Sequence, residues 1–109
     1  MNKVSLITTV LDEESSIVEF LNSVVNQSIK PHELIIVDGG SQDKTITIIK
    51  EYMKKYKWIK LVIEKMASIG KGRNMAIERS KNNVIACTDV GCILDKNWLN
   101  EITKPFEDK

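Results

Sequence analysis

The sequence has few of the side chains that hold transition metals and almost no excess charge of either sign. It contains one histidine, His32, and two cysteines, Cys87 and Cys92, which are too few for a zinc site built within one chain. Lysine and arginine number 16, aspartate and glutamate 15, and the net charge is +1. That balance gives no reason to expect a general role on nucleic acid or membrane surfaces. Because Cys87 lies in an apolar run, we expect a reduced, buried thiol rather than a disulfide.

Long hydrophobic runs are also missing. The first apolar run, Val4–Leu11, is interrupted by Ser5, Thr8 and Thr9 and is followed by acids. It is too short and too polar for a signal peptide or a membrane span, so we expect a cytoplasmic location. The hydrophobic fraction of 42% and the charged fraction of 28% are typical of one soluble globular domain, here residues 1–109.

Segments that fit strands alternate with segments that fit helices. Four short apolar runs predict strands at Val4–Leu11, Leu34–Val37, Trp58–Ile63 and Val84–Thr88. Apolar residues at helical spacing follow each run. Strands separated by helices are joined by right-handed crossovers, which gives a parallel sheet covered on both faces. The prediction is an α/β, Rossmann-like parallel sheet of about four strands, with the third strand as an edge.

Polar residues mark the expected starts of the helices. Ser16, with Glu19 three residues later, forms a capping-box pattern before the first helix. Ser41 or Asp43 can cap the second helix, and Asp95 the last one. The third helix is expected to open at a pair of glycines, at positions 70 and 72.

Acidic residues follow three of the predicted strands. Asp12-Glu13-Glu14 follows the first strand, Asp38 the second and Asp89 the fourth. The carboxyl ends of parallel strands form the edge where open α/β sheets bind ligands. If strands one and four are neighbours, these acids converge on one cleft. Taken singly, Asp38 also fits a turn former and Asp12 a helix-entry residue, because aspartate is common in turns for reasons of backbone geometry.

The residues at this edge match the parts of a nucleoside diphosphate. Asp38 can accept a hydrogen bond from a polarised N–H, such as the imide of uracil. The Gly70–Arg73 segment combines glycines, the cations Lys71 and Arg73 and a helix N-terminus, which suit phosphate. Asp89 is a hard oxygen ligand that suits ribose hydroxyls or a divalent metal.

Four segments resemble, in order and spacing, the family 2 inverting glycosyltransferases of GT-A fold. They are Val4–Glu13, Ile35–Thr45, Gly72–Ile77 and Thr88–Cys92. The most specific is the Val-Asp-Gly-Gly-Ser-x-Asp-x-Thr block within the second segment. The resemblance spans essentially the whole chain, and it implies a nucleotide-sugar-binding domain that corresponds to the N-terminal half of a GT-A glycosyltransferase.

The resemblance also implies roles for individual residues. The Thr9–Glu13 loop would flank the nucleotide base, and Asp38 would accept a hydrogen bond from it, usually from uracil. Arg73 matches the family's Arg-Asn pair beside the base and the diphosphate. Asp89 matches the first acid of the Asp-x-Asp motif, which holds ribose and metal. The predicted substrate-binding residues are therefore Thr9, Val10, Glu13, Asp38, Gly39, Lys71, Arg73 and Asp89.

Two departures from the family pattern limit these expectations. The second acid of the Asp-x-Asp motif is replaced by Gly91, which argues against strong Mg²⁺ or Mn²⁺ binding and leaves Asp89 as the candidate metal ligand. Direct displacement at the anomeric carbon needs a general base, which the family carries in the half beyond this motif. We therefore expect binding of a nucleotide sugar, with a UDP-sugar favoured, and little or no transfer by this chain alone.

Other functions fit parts of the pattern. A dinucleotide-binding Rossmann domain needs a glycine-rich turn after strand one, where Asp12-Glu13-Glu14 stands instead. A phosphoacceptor receiver domain needs an aspartate at the end of strand three and a lysine after a fifth strand, and neither is found. A non-catalytic nucleotide-binding module stays open. An exposed sheet edge would also permit a homo-oligomer.

Overall fold

A computed structural model describes residues 3–82 and 84–106. Within these residues the strands are β1 (Val4–Val10), β2 (Glu33–Asp38), β3 (Ile59–Ile63) and β4 (Val84–Cys87). The helices are α1 (Ile17–Val25), α2 (Thr45–Lys55), α3 (Ile69–Arg79) and α4 (Trp98–Thr103), and a 3₁₀ turn follows at Lys104–Phe106. None of the helices in the described ranges has the length and apolar character needed to cross a bilayer.

The described strands form one parallel sheet in the order β3-β2-β1-β4. The predicted Rossmann-like α/β fold is confirmed, and so is the neighbouring position of strands one and four. Val10 at the end of β1 pairs with Asp38 at the end of β2, and Asp38 pairs with Ile63 at the end of β3. The carboxyl ends of these strands therefore lie side by side along one edge.

Helices cover both faces of the sheet, as the crossover rule requires. On one face, fully buried Leu6, Leu34 and Ile36 pack with Phe20 of α1 and Ile49 of α2 in the larger core. On the other face, α3 lies over β1 and β2, in a smaller core made of Ile7, Ile35, Val37 and Ala76. Each fully buried large apolar side chain contributes about 1.5–3 kcal/mol to folding relative to an exposed one.

The two edge strands differ from the buried interior of the sheet. β3 is partly exposed, which confirms the expected edge at that side. β4 lies at the opposite edge, and there the prediction of a buried Cys87 is wrong, because this residue is exposed. Cys87 pairs with Ile7 on the face covered by α3, but α3 packs over β1 and β2 and leaves this part of β4 open. Both Cys87 and Cys92 are free thiols.

The capping box predicted for the first helix is wrong. Ser16 occupies the cap position of α1, but its side chain makes no capping hydrogen bond. The carbonyl of Glu13 instead accepts the N–H groups of Ser16 and Ile17, at 3.0 and 2.8 Å. A backbone turn therefore starts this helix, and the Ser16 side chain has no part in it.

The aspartates predicted to cap α2 and α4, Asp43 and Asp95, lie one and two residues before the cap positions of these helices. Asp43 Oδ1 accepts the N–H of Thr45, the first residue of α2, at 2.9 Å, although the boundary residue is Lys44. Asp95 Oδ2 accepts the N–H of Asn97, which itself occupies the cap position of α4. The aspartates therefore order the approach to each helix, and the prediction that Asp95 itself caps α4 is wrong.

A buried polar network closes the sheet at the end opposite the strand carboxyl termini. Glu33 is 2% exposed and accepts the Ser5 hydroxyl at 2.6 Å, the Lys60 ammonium at 3.2 Å and the Lys81 N–H at 2.7 Å. Asn82 donates to the Ser5 oxygen at 2.9 Å. Burial raises the pKa of Glu33, but the hydrogen bonds from Ser5, Lys81 and Lys60 outweigh it and hold the pKa below its ordinary value.

Candidate functional site

A cavity of about 400 Å³ opens at the carboxyl edge of the sheet. Its walls come from the ends of β1 and β2, the start of α3 with the loop before it, and the segment after β4. The lining residues are Thr9, Val10, Leu11, Glu13, Val37, Gly39, Ala67, Ser68, Ile69, Gly72, Asp89, Val90 and Gly91. The cavity lies where the switch-point rule for open α/β sheets expects a ligand.

Most of the residues predicted from the sequence meet at this cavity. Those that line it are Thr9, Val10, Glu13, Gly39 and Asp89. Those that lie outside its lining are Asp38, Lys71 and Arg73. Two acids far apart in the sequence, Glu13 and Asp89, are thus brought to one concave site, which is the geometry that the placement of charge after the strands suggested.

Asp38 lies beneath the turn that follows β2. Its side chain is fully buried. Oδ1 accepts the N–H groups of Gly40 and Ser41, at 2.7 and 2.6 Å, and Oδ2 accepts the Ser41 hydroxyl at 2.6 Å. Gly40 has a φ of 103°, a left-handed conformation that favours glycine. The structure therefore gives Asp38 a turn-forming role, and its hydrogen bond to a base stays a prediction.

Of the three consecutive acids after β1, Glu13 is the one that lines the cavity. Asp12 has a left-handed φ of 51°, and its Oδ1 accepts the N–H of Gln42 at 2.8 Å. Glu14 Oε1 accepts the N–H of Lys44 at 2.9 Å. Asp12 and Glu14 therefore hold the loop after β2, whereas Glu13 lies at the cavity.

Backbone N–H groups of the loop after β1 also donate hydrogen bonds to side chains of the loop after β2. Ser41 Oγ accepts the N–H of Asp12 at 2.8 Å, and Asp43 Oδ2 accepts the N–H of Glu14 at 3.1 Å. The hydrogen bond from the Thr45 hydroxyl is the main reason that the pKa of Asp43 lies below its ordinary value, and the N–H groups of Thr45 and Glu14 lower it further. The loops after β1 and β2 are thus one hydrogen-bonded unit.

Helix α3 approaches the sheet closely at Gly72. A Cβ atom at this position would lie 2.9 Å from Cγ2 of Thr9, so glycine is needed for the contact between α3 and β1. The sequence pattern linked this glycine to phosphate, whereas its close approach is to the sheet. Lys71 and Arg73 are exposed on either side of it, and Lys71 Nζ lies 3.9 Å from Glu64 Oε2.

The loop between β3 and α3 forms a wall that was not predicted from the sequence. Ala67, Ser68 and Ile69 line the cavity, and the Met66 N–H donates to the Gly39 carbonyl at 2.9 Å. A signal was present, because β3 is parallel to its neighbours and its carboxyl end reaches the same edge. The site was predicted from the positions of acidic residues. Because this wall is mainly apolar, that prediction did not include it. The other lining residues that were not predicted are Leu11, Val37, Gly72, Val90 and Gly91.

Comparison with known proteins identifies the family. Residues 5–109 match the family described as Glycosyl transferase family 2. The chain belongs to glycosyltransferase family 2. Among its relatives, glycosyltransferase AglE of Haloferax volcanii is 32% identical over 99 residues, which cover 88% of this chain and 33% of AglE. The poly(ribitol-phosphate) beta-glucosyltransferase of Bacillus spizizenii is 35% identical over 106 residues, which cover 90% of this chain and 17% of that enzyme.

Solved structures of family 2 proteins have the same fold. Staphylococcus aureus TarS 1-349, crystallised in complex with UDP-GlcNAc, matches with a TM-score of 0.86 and 26% sequence identity. The match covers 97% of this chain and 31% of the TarS chain. The GT-A fold implied by the sequence resemblance is therefore confirmed. This chain spans about a third or less of the length of AglE, the Bacillus spizizenii enzyme and the TarS chain.

The family's metal-binding motif is incomplete in this chain. Across residues 3–82 and 84–106, no group of three or more histidine, cysteine, aspartate or glutamate side chains is arranged to hold a metal ion. Asp89 and Gly91 both line the cavity. A Cβ at position 91 would have no atom within 4 Å, so there is room there for the missing acid. Within the described residues, the protein side chains alone do not form a metal site.

Proposed function

We propose that this chain binds the nucleoside diphosphate part of a nucleotide sugar in the cavity at the carboxyl edge of the sheet, and that the sugar donor is a UDP-sugar. The observation that carries the proposal is the meeting of Glu13, Gly39 and Asp89, from three separate elements, on one cavity. The family assignment and the TarS complex with UDP-GlcNAc support the same ligand class.

The chemistry of the walls suits the base and the ribose. Val37, Ala67 and Ile69 give the cavity an apolar side, against which the flat face of a base can be buried. Gly39 presents backbone at the same side, where polar edges of the base can be hydrogen-bonded. Asp89 is exposed, and its carboxylate can accept hydrogen bonds from ribose hydroxyls. Glu13 is a second acidic residue of the lining.

The diphosphate needs positive charge, and the start of α3 provides it. Lys71 and Arg73 flank Gly72, a lining residue. We propose that their long side chains turn toward the diphosphate when it binds, Arg73 as a two-pronged donor and Lys71 as a point charge. The ion pair between Lys71 and Glu64 is long and exposed, so giving it up costs little.

A divalent cation, Mg²⁺ or Mn²⁺, fits this site only with ligand oxygens in its shell. Asp89 is the protein side chain that would hold it, and oxygens of the diphosphate and of water would supply its other ligands. When bound, the cation would neutralise negative charge on the diphosphate. Because position 91 is glycine, we expect a modest effect of Mn²⁺ on nucleotide affinity.

Transfer of the sugar to an acceptor hydroxyl is proposed for the whole protein. The attacking hydroxyl must lose its proton to a general base, and none of the described residues is assigned that role. We expect this chain alone to bind nucleotide and to transfer little or no sugar. A transfer assay with radiolabelled UDP-sugars measures this directly, and robust turnover by the 109-residue chain would contradict the expectation.

Calorimetric titration tests the proposed ligand. UDP, GDP, CDP and ADP are titrated with and without Mn²⁺ into the wild-type chain, into Asp89→Asn and into the control Glu78→Gln, an exposed position on α3 outside the cavity. We expect UDP to bind most tightly and Asp89→Asn to raise its Kd about tenfold, as for a lost hydrogen bond to a charged group. Absence of binding by all four nucleotides, or an unchanged Kd in Asp89→Asn, would refute the proposal.

The exposed edge at β4 supports a homo-oligomer as a second, separate proposal. Ile85 is 38% exposed, and Cys87 is exposed on the same face of the sheet. An open apolar edge strand favours association with another copy. Light scattering tests this, with Ile85→Lys expected to shift any dimer to monomer. A wild-type chain that is monomeric at every concentration would contradict it.

A further inference from the structure

Thr45 is a buried polar residue at the first position of α2, outside the lining of the cavity. It is 0% exposed. Its hydroxyl donates to Asp43 Oδ1 and accepts the N–H of Glu13 at 2.9 Å. A hydroxyl has one proton, and because that proton points at Asp43, the oxygen lone pairs are left for Glu13. Contacts from two loops therefore fix the orientation of this hydroxyl.

The backbone of Glu13 is held at both of its polar groups. Its N–H donates to Thr45, and its carbonyl accepts the N–H groups of Ser16 and Ile17. The preceding residue, Asp12, has the left-handed φ of 51° that turns the chain into this position. With the peptide groups on both sides fixed, the Cα of Glu13 is set in place, and Glu13 lines the cavity.

The Thr45 hydroxyl is not required to start α2. Asp43 Oδ1 already accepts the N–H of Thr45 at 2.9 Å, which satisfies the first free N–H of the helix. What the hydroxyl adds is the bond to Glu13, a contact between positions 32 residues apart. A buried hydroxyl that serves another loop and not its own helix points to a role at the cavity.

We propose that Thr45 is a positioning residue, whose hydroxyl holds Glu13 in the orientation needed to contact the bound nucleotide sugar. The inference rests on the proposed function, because it gives Glu13 a ligand to contact. Asp43 is the second member of this arrangement, since it accepts the hydroxyl proton and so presents the oxygen to Glu13.

The test uses two substitutions at position 45 that separate the hydroxyl from the packing. Thr45→Val keeps the shape and removes the hydroxyl, whereas Thr45→Ser keeps the hydroxyl and removes a buried methyl group. Thr47→Val is the matched control, because Thr47 is exposed on the same helix. UDP affinity is measured by calorimetry, stability by denaturant unfolding, and the exchange rate of the Glu13 amide by NMR.

We expect Thr45→Val to raise the Kd for UDP about fivefold, the effect of one lost hydrogen bond, and to speed exchange of the Glu13 amide. In Thr45→Ser, the Kd for UDP and the exchange rate of the Glu13 amide should stay within about twofold of wild type, even though the lost methyl group destabilises the fold. Thr47→Val should change neither quantity. A Thr45→Val chain that binds UDP as tightly as wild type overturns the inference, and so does a Thr45→Ser chain that binds as weakly as Thr45→Val.

Two results distinguish a failure of this inference from a failure of the proposed function. A wild-type chain that binds no nucleotide refutes the proposed function, and the inference falls with it. A wild-type chain that binds while Thr45→Val leaves affinity unchanged refutes the inference alone. If Thr45→Val does not fold, Asp43→Ala at a half-exposed position replaces it. Weaker UDP binding by Asp43→Ala supports the inference, and unchanged binding overturns it.

Discussion

On one side of the cavity, the loops after β1 and β2 hold each other through hydrogen bonds between side chains and backbone N–H groups. On the other side, the segment after β4 is tied to the rest of the chain by hydrogen bonds near its two ends, at the Thr88 N–H and at the carbonyls of Asp95 and Lys96. Between these ends lie two apolar anchors, Val90 and Leu94, at 4% and 9% exposure, and Ile93, which is 68% exposed. We call residues 11–16 with 39–45 the cross-linked side and residues 88–97 the open side.

The difference indicates how the two sides meet a ligand. The cross-linked side is ordered before a ligand arrives, so little entropy is lost there on binding. On the open side Asp89 and Gly91 are both exposed, so we expect both to adjust to the ribose and the diphosphate of the proposed ligand. For the proposed ligand, we expect fixed recognition of the base and adaptable contact with the rest of the nucleotide.

The largest effect is expected at Asp38, which anchors the turn of the cross-linked side. Asp38→Ala removes the acceptor of three hydrogen bonds in a buried turn, so we expect a loss of about 3 kcal/mol or more in the free energy of unfolding. Asp38→Asn keeps an acceptor for the backbone N–H groups and should lose about 1 kcal/mol.

Denaturant unfolding measures both Asp38 variants, and UDP titration of Asp38→Asn adds a test of base recognition. Asparagine places an amide donor where the base N–H needs an acceptor, so UDP affinity should fall in a chain that still folds. If Asp38→Ala is as stable as wild type, the turn does not depend on this carboxylate. If Asp38→Asn binds UDP normally, Asp38 has only the turn-forming role.

The same substitution at two glycines compares the two sides directly. Gly40 has a φ of 103°, and a Cβ added there would lie 3.4 Å from Cα of Lys65, whereas a Cβ at Gly91 would meet nothing within 4 Å. We expect Gly40→Ala to lower the free energy of unfolding by about 1–2 kcal/mol. Gly91→Ala should change it by less than about 0.5 kcal/mol. Equal effects in a thermal or denaturant melt would remove the contrast between the sides.

An added acid at position 91 should strengthen metal-assisted binding on the open side. Gly91→Asp places a second carboxylate two residues after Asp89, with room for it. We expect Mn²⁺ to improve the Kd for UDP about fivefold more in this variant than in wild type, because carboxylate oxygens are preferred ligands of hard cations. Gly70→Asp is the control, since Gly70 also has open space around it but lies outside the cavity.

Titrations with and without Mn²⁺ give the result for both aspartate variants. The same gain in Gly70→Asp and Gly91→Asp would show a general charge effect. No gain in Gly91→Asp would mean that Asp89 does not face the diphosphate.

The smallest effect concerns acidification. The pKa of Asp43 and that of Glu33 are lowered in the folded chain from ordinary values of 3.8 and 4.5. The unfolded chain therefore binds protons first as the pH falls, and the stability from these groups, fully present above the ordinary values, is lost as the pH drops through the folded values. We expect stability to decline below about pH 4.5, and Glu33→Gln to flatten this decline. A flat profile in wild type would contradict the contribution of these groups.

The framework of the fold could be predicted from the sequence. Apolar runs such as Val4–Leu11 are bounded by polar residues, so they identified the strands, and the right-handed crossover rule then fixed the edge at which Asp38 and Asp89 lie. The predicted first strand was one residue too long, since Leu11 is 54% exposed and lies beyond the end of β1. Local pattern and chain topology were sufficient for the framework.

The choice of Glu13 among neighbouring acids came from the family resemblance and could not be predicted from local sequence pattern. Which of Asp12, Glu13 and Glu14 faces the cavity depends on the left-handed φ of Asp12, which no local preference of the sequence dictates. That conformation is held by partners such as Ser41, from a loop distant in the sequence. The exposure of Cys87 was missed for a similar reason, because the cover over β4 depends on where α3 lies and not on the residues of β4.

The cavity between the cross-linked side and the open side is the proposed binding site of a nucleoside diphosphate. The most direct measurement is titration of UDP into isotopically labelled chain, followed through the backbone amide resonances. We expect the amide resonances of Glu13, Gly39 and Gly91 to shift together and to saturate with one Kd. Shifts confined to the opposite end of the sheet, around Glu33, or no shifts at all, would contradict it.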